Sequence, residues 1–282
     1  MNFEKWQALG NDYVIVDERQ LPFALTPDRI RRLCSPHTGV GSDGILLLAE
    51  SDEPGFVANM RIFNPDGSEA ELSGNGAREA LLYLHRRRWT EENEFSIQTL
   101  AGEIRGRITS ATTCRVDMGR ARLRSDDFPT GPDDGLGTLT ANGISWNFQH
   151  VSIGNPQCSI AVETEKDLDL LDLGAIGPGI ENDQLFPNRT NVSWYTVLGP
   201  GRIRARIFER GVGETTASGT GAIGAAVTYA VTGGDSPVTV VLDGGELEVE
   251  VGEDLHIDLT GWAVPVVRGT FAEELIEELR ES

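Results

Sequence analysis

Residues 61–77 read RIFNPDGSEAELSGNGA, and residues 206–222 read RIFERGVGETTASGTGA. The two stretches align without a gap at an offset of 206 − 61 = 145 residues, and eight of the 17 positions are identical. The pair Gly10-Asn11 also recurs, as Gly154-Asn155, at an offset of 154 − 10 = 144. Self-similarity at one offset indicates a repeated structural unit. The sequence therefore predicts two similar halves related by a pseudo-twofold axis.

Both halves have the same coarse order of elements. A β-type run comes first, RIF then lies at a short strand, and a Gly-rich turn leads into a helix. We predict these helices over 76–88 and 221–233, and the second is apolar enough to be fully buried. The C-terminal stretch TFAEELIEELRES predicts an amphipathic helix with Phe271, Leu275, Ile276 and Leu279 on one side.

The fold class that follows is α+β, with two pseudo-symmetric, strand-rich domains that each enclose a central helix. The predicted first domain is 1–118 together with 265–282, and the predicted second domain is 119–264. A chain of 282 residues is long enough to give each domain its own core.

The charge is strongly acidic. Asp and Glu number 44 against 24 Lys and Arg, giving a formal net charge of −20. This excludes a nucleic-acid or anionic-membrane binder, since both need a basic face. Lys5 and Lys166 are the only lysines, so 24 − 2 = 22 basic residues are arginine. Many acids with almost no lysine predict a halophilic protein from a high-salt cytosol, where salt screens self-repulsion.

The remaining composition predicts a cytoplasmic protein with no metal and no membrane segment. Cys34, Cys114 and Cys158 are too few for a disulfide framework, and no Cys/His cluster has metal-ligand spacing. The N-terminal residues lack the apolar core of a signal peptide. The longest run of small apolar residues is about half a membrane span.

The repeated Ser-Gly-x-Gly sequence predicts anion binding. The first N–H groups of a helix lack internal partners, and the helix dipole makes that end positive. One copy alone is as well explained by a serine N-cap. Two copies at symmetric positions favour a ligand, with both serines expected to face one interdomain cleft. Arg210, just before the second copy, is predicted to contact that ligand.

These residues resemble those of a known family, the diaminopimelate epimerases, which are cofactor-independent amino-acid epimerases of lysine biosynthesis. The similarity extends over nearly the whole chain and is carried by long motifs, listed here with their positions: LGNDYVIVD (9–17), GVGSDGILLL (39–48), MRIFNPDGSEAELSGNGAR (60–78), IGNPQ (153–157), NRTNVSWY (188–195), ERGVGETTASGTGA (209–222) and DGGELEVE (243–250). The resemblance implies two eight-stranded domains, each around a central helix, no cofactor and a small amino-acid substrate like diaminopimelate. A homodimer is left open.

The resemblance also implies a set of site residues. The catalytic positions are Ser73, Ser218 and Glu209. The positions that match substrate-binding residues are intact in this chain: Asn11, Asn64, Gly74, Asn75, Asn155, Asn191, Glu209, Arg210, Gly219 and Thr220.

Several positions depart from the family pattern. Ser73 and Ser218 stand where the family has its two catalytic cysteines, which take a proton from one face of the α-carbon and deliver one to the other. Gln157 stands where the family has histidine, Gly44 where it has glutamine, and Glu79 where it usually has another cysteine. The binding frame is kept and much of the acid–base set is changed.

Serine is a far weaker acid than cysteine, whose thiol titrates near ~8.5, so serine needs an adjacent base. Glu209 can serve Ser218. On the Ser73 side the resemblance offers Gln157, an amide that accepts no proton at neutral pH. We therefore expect inversion to be impaired on the Ser73 side unless another group substitutes.

Three functional interpretations are open from the sequence. The first is an isomerase that still epimerises diaminopimelate or a related amino acid. The second is a one-base enzyme that uses one face only, for example to eliminate water from a hydroxylated amino acid. The third is a non-catalytic amino-acid-binding relative. Cysteine-to-serine is also a common engineered change, but Gln157 and Glu79 argue against that origin.

Overall fold

The structure is a computed structural model that describes residues 1–281, and it divides into two compact units. The first unit comprises Met1–Val116 together with the segment from Gly261 onward, and the second comprises Asp117–Thr260. Among the described residues each unit is rich in strands and has one long helix.

The first unit contains strands of two to eight residues and three α-helices. Its strands are β1 (Asn2–Ala8), β2 (Asn11–Asp17), β3 (Ile45–Glu50), β4 (Phe56–Phe63), β5 (Glu69–Ala70), β6 (Glu94–Thr99), β7 (Gly102–Ile108), β8 (Thr113–Arg120) and β18 (Val264–Thr270). Its helices are α1 (Pro27–Cys34), α2 (Gly74–Arg86) and α6 (Glu273–Glu281), with a 3-10 turn at Glu18–Gln20. The last four residues of β8 already belong to the second unit.

The second unit has the same kinds of element. Its strands are β9 (Leu136–Ala141), β10 (Ile144–Ser152), β11 (Pro156–Ala161), β12 (Asn191–Gly199), β13 (Arg202–Glu209), β14 (Gly213–Thr215), β15 (Val238–Leu242), β16 (Gly245–Val251) and β17 (His256–Trp262). Its helices are α3 (Glu165–Leu170), α4 (Leu173–Glu181) and α5 (Gly219–Val231). Strand β17 ends in the first unit, so the chain changes unit within β8 and again within β17.

Strand pairing repeats between the units, step for step. In the first unit the pairs β18–β1, β1–β2, β3–β4, β4–β5, β6–β7 and β7–β8 are antiparallel, whereas β2–β3 and β4–β6 are parallel. In the second unit β9–β10, β10–β11, β12–β13, β13–β14, β15–β16 and β16–β17 are antiparallel, whereas β11–β12 and β13–β15 are parallel. The mixed α+β fold and its internal repeat, predicted from the sequence, are confirmed. Within residues 1–281 each unit has one strand more than the eight expected per domain. The additional strand, β5 or β14, is short and precedes the central helix.

The helices α2 and α5 are both 13 residues long, and each begins two residues earlier than predicted. The sequence reasoning placed Gly-x-Gly in a turn before each helix, whereas the structure places it in the first helical turn. The reason is the serine, which caps each helix in an extended conformation and so fixes the start at the following glycine. Helix α5 is buried along nearly its whole length, as predicted, and contacts strands on all sides.

A repeated ion pair stabilises the hairpin before each central helix. In the first unit Arg61 Nε lies 2.7 Å from a Glu69 carboxylate oxygen, and in the second Arg206 NH2 lies 2.5 Å from Glu214. Both members of both pairs are identical positions of the sequence repeat. Each pair joins β4 to β5 or β13 to β14, and therefore ties the RIF strand to the segment that delivers the serine.

The C-terminal helix α6 closes one apolar cluster of the first unit. Phe271, Ile276 and Leu279 are buried there against residues of β2, β3 and α1, and Leu275 packs at the edge. The amphipathic helix predicted from the C-terminal sequence is confirmed, and its apolar side contacts the core.

Candidate active site

Ser73 and Ser218 are the N-caps of the two central helices. Their backbones are nearly identical, with φ and ψ of −139° and 117° at Ser73 and −141° and 122° at Ser218. Ser73 Oγ accepts a hydrogen bond of 3.0 Å from the Gly76 N–H, and Ser218 Oγ accepts one of 3.2 Å from the Gly221 N–H. Each serine oxygen therefore lies at the positive end of a helix, where negative charge is stabilised.

The first two helical residues after each capping serine are Gly74 and Asn75 in α2 and Gly219 and Thr220 in α5. The N–H groups at these positions have no acceptor within the helix. All four were predicted to bind substrate. The structure places them directly beside the capping serine of their own unit.

Glycine at the third helical position is required by close packing. A Cβ at Gly221 would lie 2.7 Å from Cδ1 of Ile207, and one at Gly76 would lie 3.1 Å from Cδ2 of Leu46 and 3.3 Å from Oγ of Ser73. These distances are shorter than ordinary contacts between carbon atoms. The repeated Gly-x-Gly therefore lets the helix start lie close to the strand behind it.

The Ser218 cluster, consisting of Glu209, Thr215 and Ser218, is a hydroxyl beside a carboxyl group. Glu209 ends β13, is half-buried, and accepts a hydrogen bond of 3.0 Å from Thr215 Oγ1. Burial raises the pKa of Glu209, and hydrogen bonds from Thr215 and Ser218 oppose that rise. Ser218 itself is 4% exposed. Glu209 is therefore a carboxyl group beside Ser218.

The Ser73 cluster, consisting of Tyr13, Gly44, Ser73 and Glu79, is different. The Tyr13 hydroxyl donates to Ser73 Oγ at 3.2 Å, and the Tyr13 side chain is buried at 6% exposure. Sequence reasoning missed this residue. The signal that could have found it is its place in the repeat, since 157 − 13 = 144 makes Tyr13 the counterpart of Gln157.

The amide nitrogen of Gln157 is held within the second unit, whereas its buried Oε1 has no hydrogen-bond partner among the described residues. It is fully buried on β11, and its Nε2 donates to Asn155 Oδ1 at 2.8 Å. A Cβ at Gly224 would lie 2.9 Å from the Cβ of Gln157. Glycine at this position therefore lets the Gln157 side chain pack against α5. The expectation that Gln157 accompanies Ser73 stays a prediction, whereas Tyr13 contacts Ser73 directly.

Gly44 provides space for the Tyr13 ring. A Cβ at Gly44 would lie 2.8 Å from Tyr13 Cε1 and 2.2 Å from the carbonyl oxygen of Phe63. Position 44 lies one residue before Ile45, which pairs with Val14 in the β2–β3 ladder. In the second unit Asn191 lies opposite Gln157 in the matching β11–β12 ladder.

Glu79 lies one and a half turns into α2 and is fully buried. Burial raises its pKa well above the ordinary value, and the nearby charges of Asp12 and Asp43 act in the same direction. The positive charge of Arg78 opposes the rise. Neither carboxyl oxygen of Glu79 has a hydrogen-bond partner among the described residues, so burial favours the protonated form.

Two of the three predicted binding asparagines of the first unit, Asn11 and Asn75, form one network. Asn75 Nδ2 donates to Asn11 Oδ1 at 3.2 Å, and Asn11 Nδ2 donates to the Asp43 carboxylate at 2.9 Å. Arg78, fully buried, donates to Asn75 Oδ1 at 2.6 Å. Asn64 lies in the loop after β4 and donates to Ser68 Oγ at 2.9 Å. These contacts fix the amide orientations beside the start of α2.

The predicted binding residues of the second unit are also held by neighbours. Asn155 Nδ2 donates to Thr220 Oγ1 at 3.2 Å, which matches the Asn11–Asn75 contact of the first unit. Asn191 is buried, donates to the Pro156 carbonyl, and accepts from the Arg210 N–H.

Arg210 is half-buried, and its NH1 donates to the Asn188 carbonyl at 2.8 Å. A carbonyl orients the guanidinium without neutralising its charge, which leaves a cation oriented next to Glu209 in the chain.

Neither a metal-ligand cluster nor a membrane-spanning helix is found in the part of the chain that the structure describes. Within residues 1–281 no group of three or more His, Cys, Asp or Glu side chains is placed to hold a metal ion. In the same part of the chain no helix is both long enough and apolar enough to cross a membrane. The Cys114 and Cys158 thiols are buried, and burial raises the pKa of Cys114 to about 12. The thiols of this chain are therefore unlike reactive cysteines.

Known proteins match this chain over almost all of its length. The family model for diaminopimelate epimerase matches residues 3–124 and 149–265. The chain belongs to the diaminopimelate epimerase family. A diaminopimelate epimerase from Synechococcus sp. (strain JA-3-3Ab) is 40% identical over 282 residues, which cover 97% of this chain and 99% of that protein.

Solved structures with low identity share the fold. A Bacillus anthracis phenazine biosynthesis protein of the PhzF family superposes with a TM-score of 0.68 at 20% identity, covering 96% of this chain and 99% of that one. A hydroxyproline epimerase from Agrobacterium vitis, solved with bound trans-4-hydroxy-L-proline, superposes with a TM-score of 0.65 at 14% identity, covering 95% and 91%. At these identities the likeness shows the architecture alone.

Proposed function

We propose that this chain is an isomerase that interconverts LL- and meso-diaminopimelate without a cofactor, and that it uses Ser73 and Ser218 as its acid–base residues. The observation that carries this proposal is the Ser218 cluster, where a serine at a helix start lies beside the half-buried Glu209, whose pKa is raised by burial. A base with a raised pKa beside the group that transfers the proton is what general acid–base catalysis needs. Family membership supplies the substrate class.

In the proposed reaction Ser218 takes the α-proton on one face. The C–H bond breaks, the proton passes to Ser218 Oγ, and the Ser218 proton passes to Glu209. The helix N-terminus and the Gly221 N–H stabilise negative charge that develops on the oxygen. The carbanion is then protonated on its other face by Ser73, which completes the inversion.

The reacting α-carboxylate is proposed to bind at the helix starts. Gly74 and Asn75 precede the capping N–H of α2, and Gly219 and Thr220 precede that of α5. Backbone N–H groups at a helix start hold a carboxylate without a lysine or a metal. Arg210 is proposed to bind a second carboxylate of the substrate. Chelators are therefore expected to leave binding unchanged.

The setting of the protein is also part of the proposal. We infer that it is a halophilic, cytoplasmic enzyme of lysine biosynthesis whose partner is its small-molecule substrate, and that it can form a homodimer. Surface arginines support the salt adaptation because several are surrounded by acids. Arg204, for example, contacts Glu165, Asp169 and Asp243 at 2.5–3.4 Å.

Incubation of the purified chain with LL-diaminopimelate in D₂O tests the function. Nuclear magnetic resonance reports loss of the α-proton, and chiral chromatography reports inversion. We expect exchange together with inversion, with Ser218→Ala as the negative control. Exchange without inversion would support a one-base enzyme, and binding without exchange would support a non-catalytic amino-acid-binding protein. Either of these results overturns the proposal.

A further inference from the structure

We propose that Tyr13 is the proton donor and acceptor behind Ser73, so that this chain works with a serine–tyrosine pair on one face and a serine–glutamate pair on the other. The inference deepens the proposed function and rests on it. Tyr13 acts through Ser73 and is therefore a positioning and proton-relay residue that does not itself contact the substrate.

The geometry points to Tyr13 through two separate contacts. Its hydroxyl donates to Ser73 Oγ, and its ring edge occupies the space beside Gly44. Ser73 and Gly44 are both positions at which this chain departs from the family pattern. Two departures that meet at one residue indicate a rebuilt cluster around that residue.

Gln157 cannot supply the missing proton chemistry. Its amide neither gains nor loses a proton at neutral pH, and its Nε2 is already bonded to Asn155. The corresponding position of the other repeat holds a phenol, which titrates near ~10 in water and is a much stronger acid than an aliphatic alcohol. Tyr13 therefore places a titratable group at the repeat-related position, inside the unit that holds Ser73.

Each proton transfer in the relay breaks one bond and forms another. When Ser73 acts as the acid, its O–H bond breaks and a C–H bond forms at the α-carbon. The Tyr13 proton moves along the existing hydrogen bond to Ser73 Oγ, which leaves a phenolate instead of an alkoxide. In the reverse direction the phenolate takes the Ser73 proton while Ser73 takes the α-proton. No oxidant, reductant or further reactant is needed.

Tyr13→Phe tests the relay because it removes the hydroxyl and keeps the ring beside Gly44. Tyr83→Phe is the matched control, since Tyr83 is another buried tyrosine of the same unit and packs against Trp6. Both substitutions are made in the native chain and again with Ser73→Cys. A thiol titrates near ~8.5 and does not need a phenol behind it.

For Tyr13→Phe we expect kcat to fall about 10²-fold with KM within about twofold, as for loss of a general acid–base group. In the Ser73→Cys background the same change should cost less than about threefold, and Tyr83→Phe should cost little in either background. Starting from one diastereomer, Tyr13→Phe should still exchange the α-proton but fail to invert. Starting from the other diastereomer, it should also lose exchange.

Equal losses in the serine and cysteine backgrounds would show that Tyr13 only supports the fold and would overturn the inference. Unchanged inversion by Tyr13→Phe would do the same. Failure of the proposed function is distinguishable, because the native chain itself would then show no inversion. A melting temperature for each variant, measured by differential scanning calorimetry, separates misfolding from lost chemistry.

Discussion

The Ser73 and Ser218 clusters share a backbone and differ in chemistry. Both serines cap 13-residue helices with φ values within 2° of each other. Ser218 lies beside a carboxyl group, whereas Ser73 lies beside a phenol. The capping serine and its two glycines are dictated by packing and helix geometry and are therefore the same in both repeats. The partner of the serine is free to differ, and in the proposed reaction it sets the direction in which each serine moves a proton.

The same comparison extends to the residues behind the serines. The first unit has a large Tyr13 next to a bare Gly44, while the second has Gln157 beside Asn191. Glu79 in α2 corresponds to Gly224 in α5, and a Cβ at Gly224 would collide with Gln157. Volume added at one position is therefore matched by volume removed at its neighbour, as a close-packed interior requires.

Removal of the Glu209 carboxylate is expected to have the largest effect on the difference between the Ser73 and Ser218 clusters. Glu209→Gln keeps the size of the side chain but leaves Ser218 without a base. We expect kcat to fall about 10²- to 10⁴-fold, the usual contribution of a general base. The two variants should differ in the diastereomer that they affect. Tyr13→Phe should keep α-proton exchange from one diastereomer, and Glu209→Gln should lose exchange from that same diastereomer.

The matched control is Glu246→Gln, which removes an exposed carboxylate paired with Arg202 in the same unit. The pH profile adds a second measurement. Burial raises the pKa of Glu209, so the rate of the native chain should rise with pH through a midpoint above the ordinary glutamate value. If Glu209→Gln and Tyr13→Phe lose exchange from the same diastereomer, the two clusters do not act on opposite faces.

Restoring thiols is the next largest change. In the combined variant Ser73→Cys, Ser218→Cys and Gln157→His, both serine positions regain groups that titrate near neutral pH. We expect the rate of diaminopimelate epimerisation to rise at least tenfold over the native chain. Each single cysteine variant should gain less, because inversion needs both faces.

The paired single variants sharpen the comparison. Ser73→Cys should make the rate independent of Tyr13, and Ser218→Cys should reduce its dependence on Glu209. Kinetics of each cysteine with and without its partner measure this directly. If the combined variant binds diaminopimelate and remains inert, the pocket has diverged in shape, and another amino acid is the substrate.

The sequence predicted more of the fold than of the candidate site. The repeat of RIF and Ser-Gly-x-Gly predicted the paired units because identical local rules give identical backbones. The helix starts were predicted two residues late, because the capping role of the serine was given less weight than the glycines. Glu209 was assigned through the family resemblance and lies beside Ser218 in the structure.

Tyr13 was not predicted, although it lies within the LGNDYVIVD motif. A tyrosine in an apolar strand run is normally read as core, and only the fold brings its hydroxyl to Ser73, 60 residues away. The contact between Asn191 and Arg210 likewise depends on the pairing that brings β12 to the end of β13. Sequence patterns give period and residue type, whereas pairing over long separations depends on packing.

A smaller, thermodynamic effect concerns Glu79. Its pKa is raised in the folded chain by burial, so folding favours the protonated form. This stability is fully present below the pKa of the unfolded chain and is lost as pH rises through the folded pKa. Glu79→Gln removes the titration, so the native chain should lose stability relative to the variant from pH 4 to pH 8.

The loss is about 1.4 kcal/mol for each unit by which the pKa of Glu79 is raised, and chemical unfolding at both pH values measures it. Glu71→Gln, on the exposed segment before Ser73, is the matched control. A constant difference between the native chain and Glu79→Gln at both pH values would mean that Glu79 is ionised in the fold, paired with Arg78.

The smallest expected effect on the comparison is that of salt, although it acts on the whole molecule. With 44 acidic and 24 basic residues, 44 − 24 = 20 negative charges are unbalanced. Raising the salt from 0.1 M to 1 M shortens the Debye length from ~10 Å to ~3 Å, which weakens this repulsion. Exposed pairs such as Arg105–Glu94 are weakened too, but such surface pairs contribute little to stability. Repulsion therefore dominates, and the melting temperature should rise across this range.

The Ser73 and Ser218 clusters are buried or half-buried and are screened much less, so the ratio of exchange from the two diastereomers should stay constant. A flat melting temperature would refute the salt adaptation, and a ratio that changes with salt would show that surface charge, more than the two local partners, sets the difference between Ser73 and Ser218.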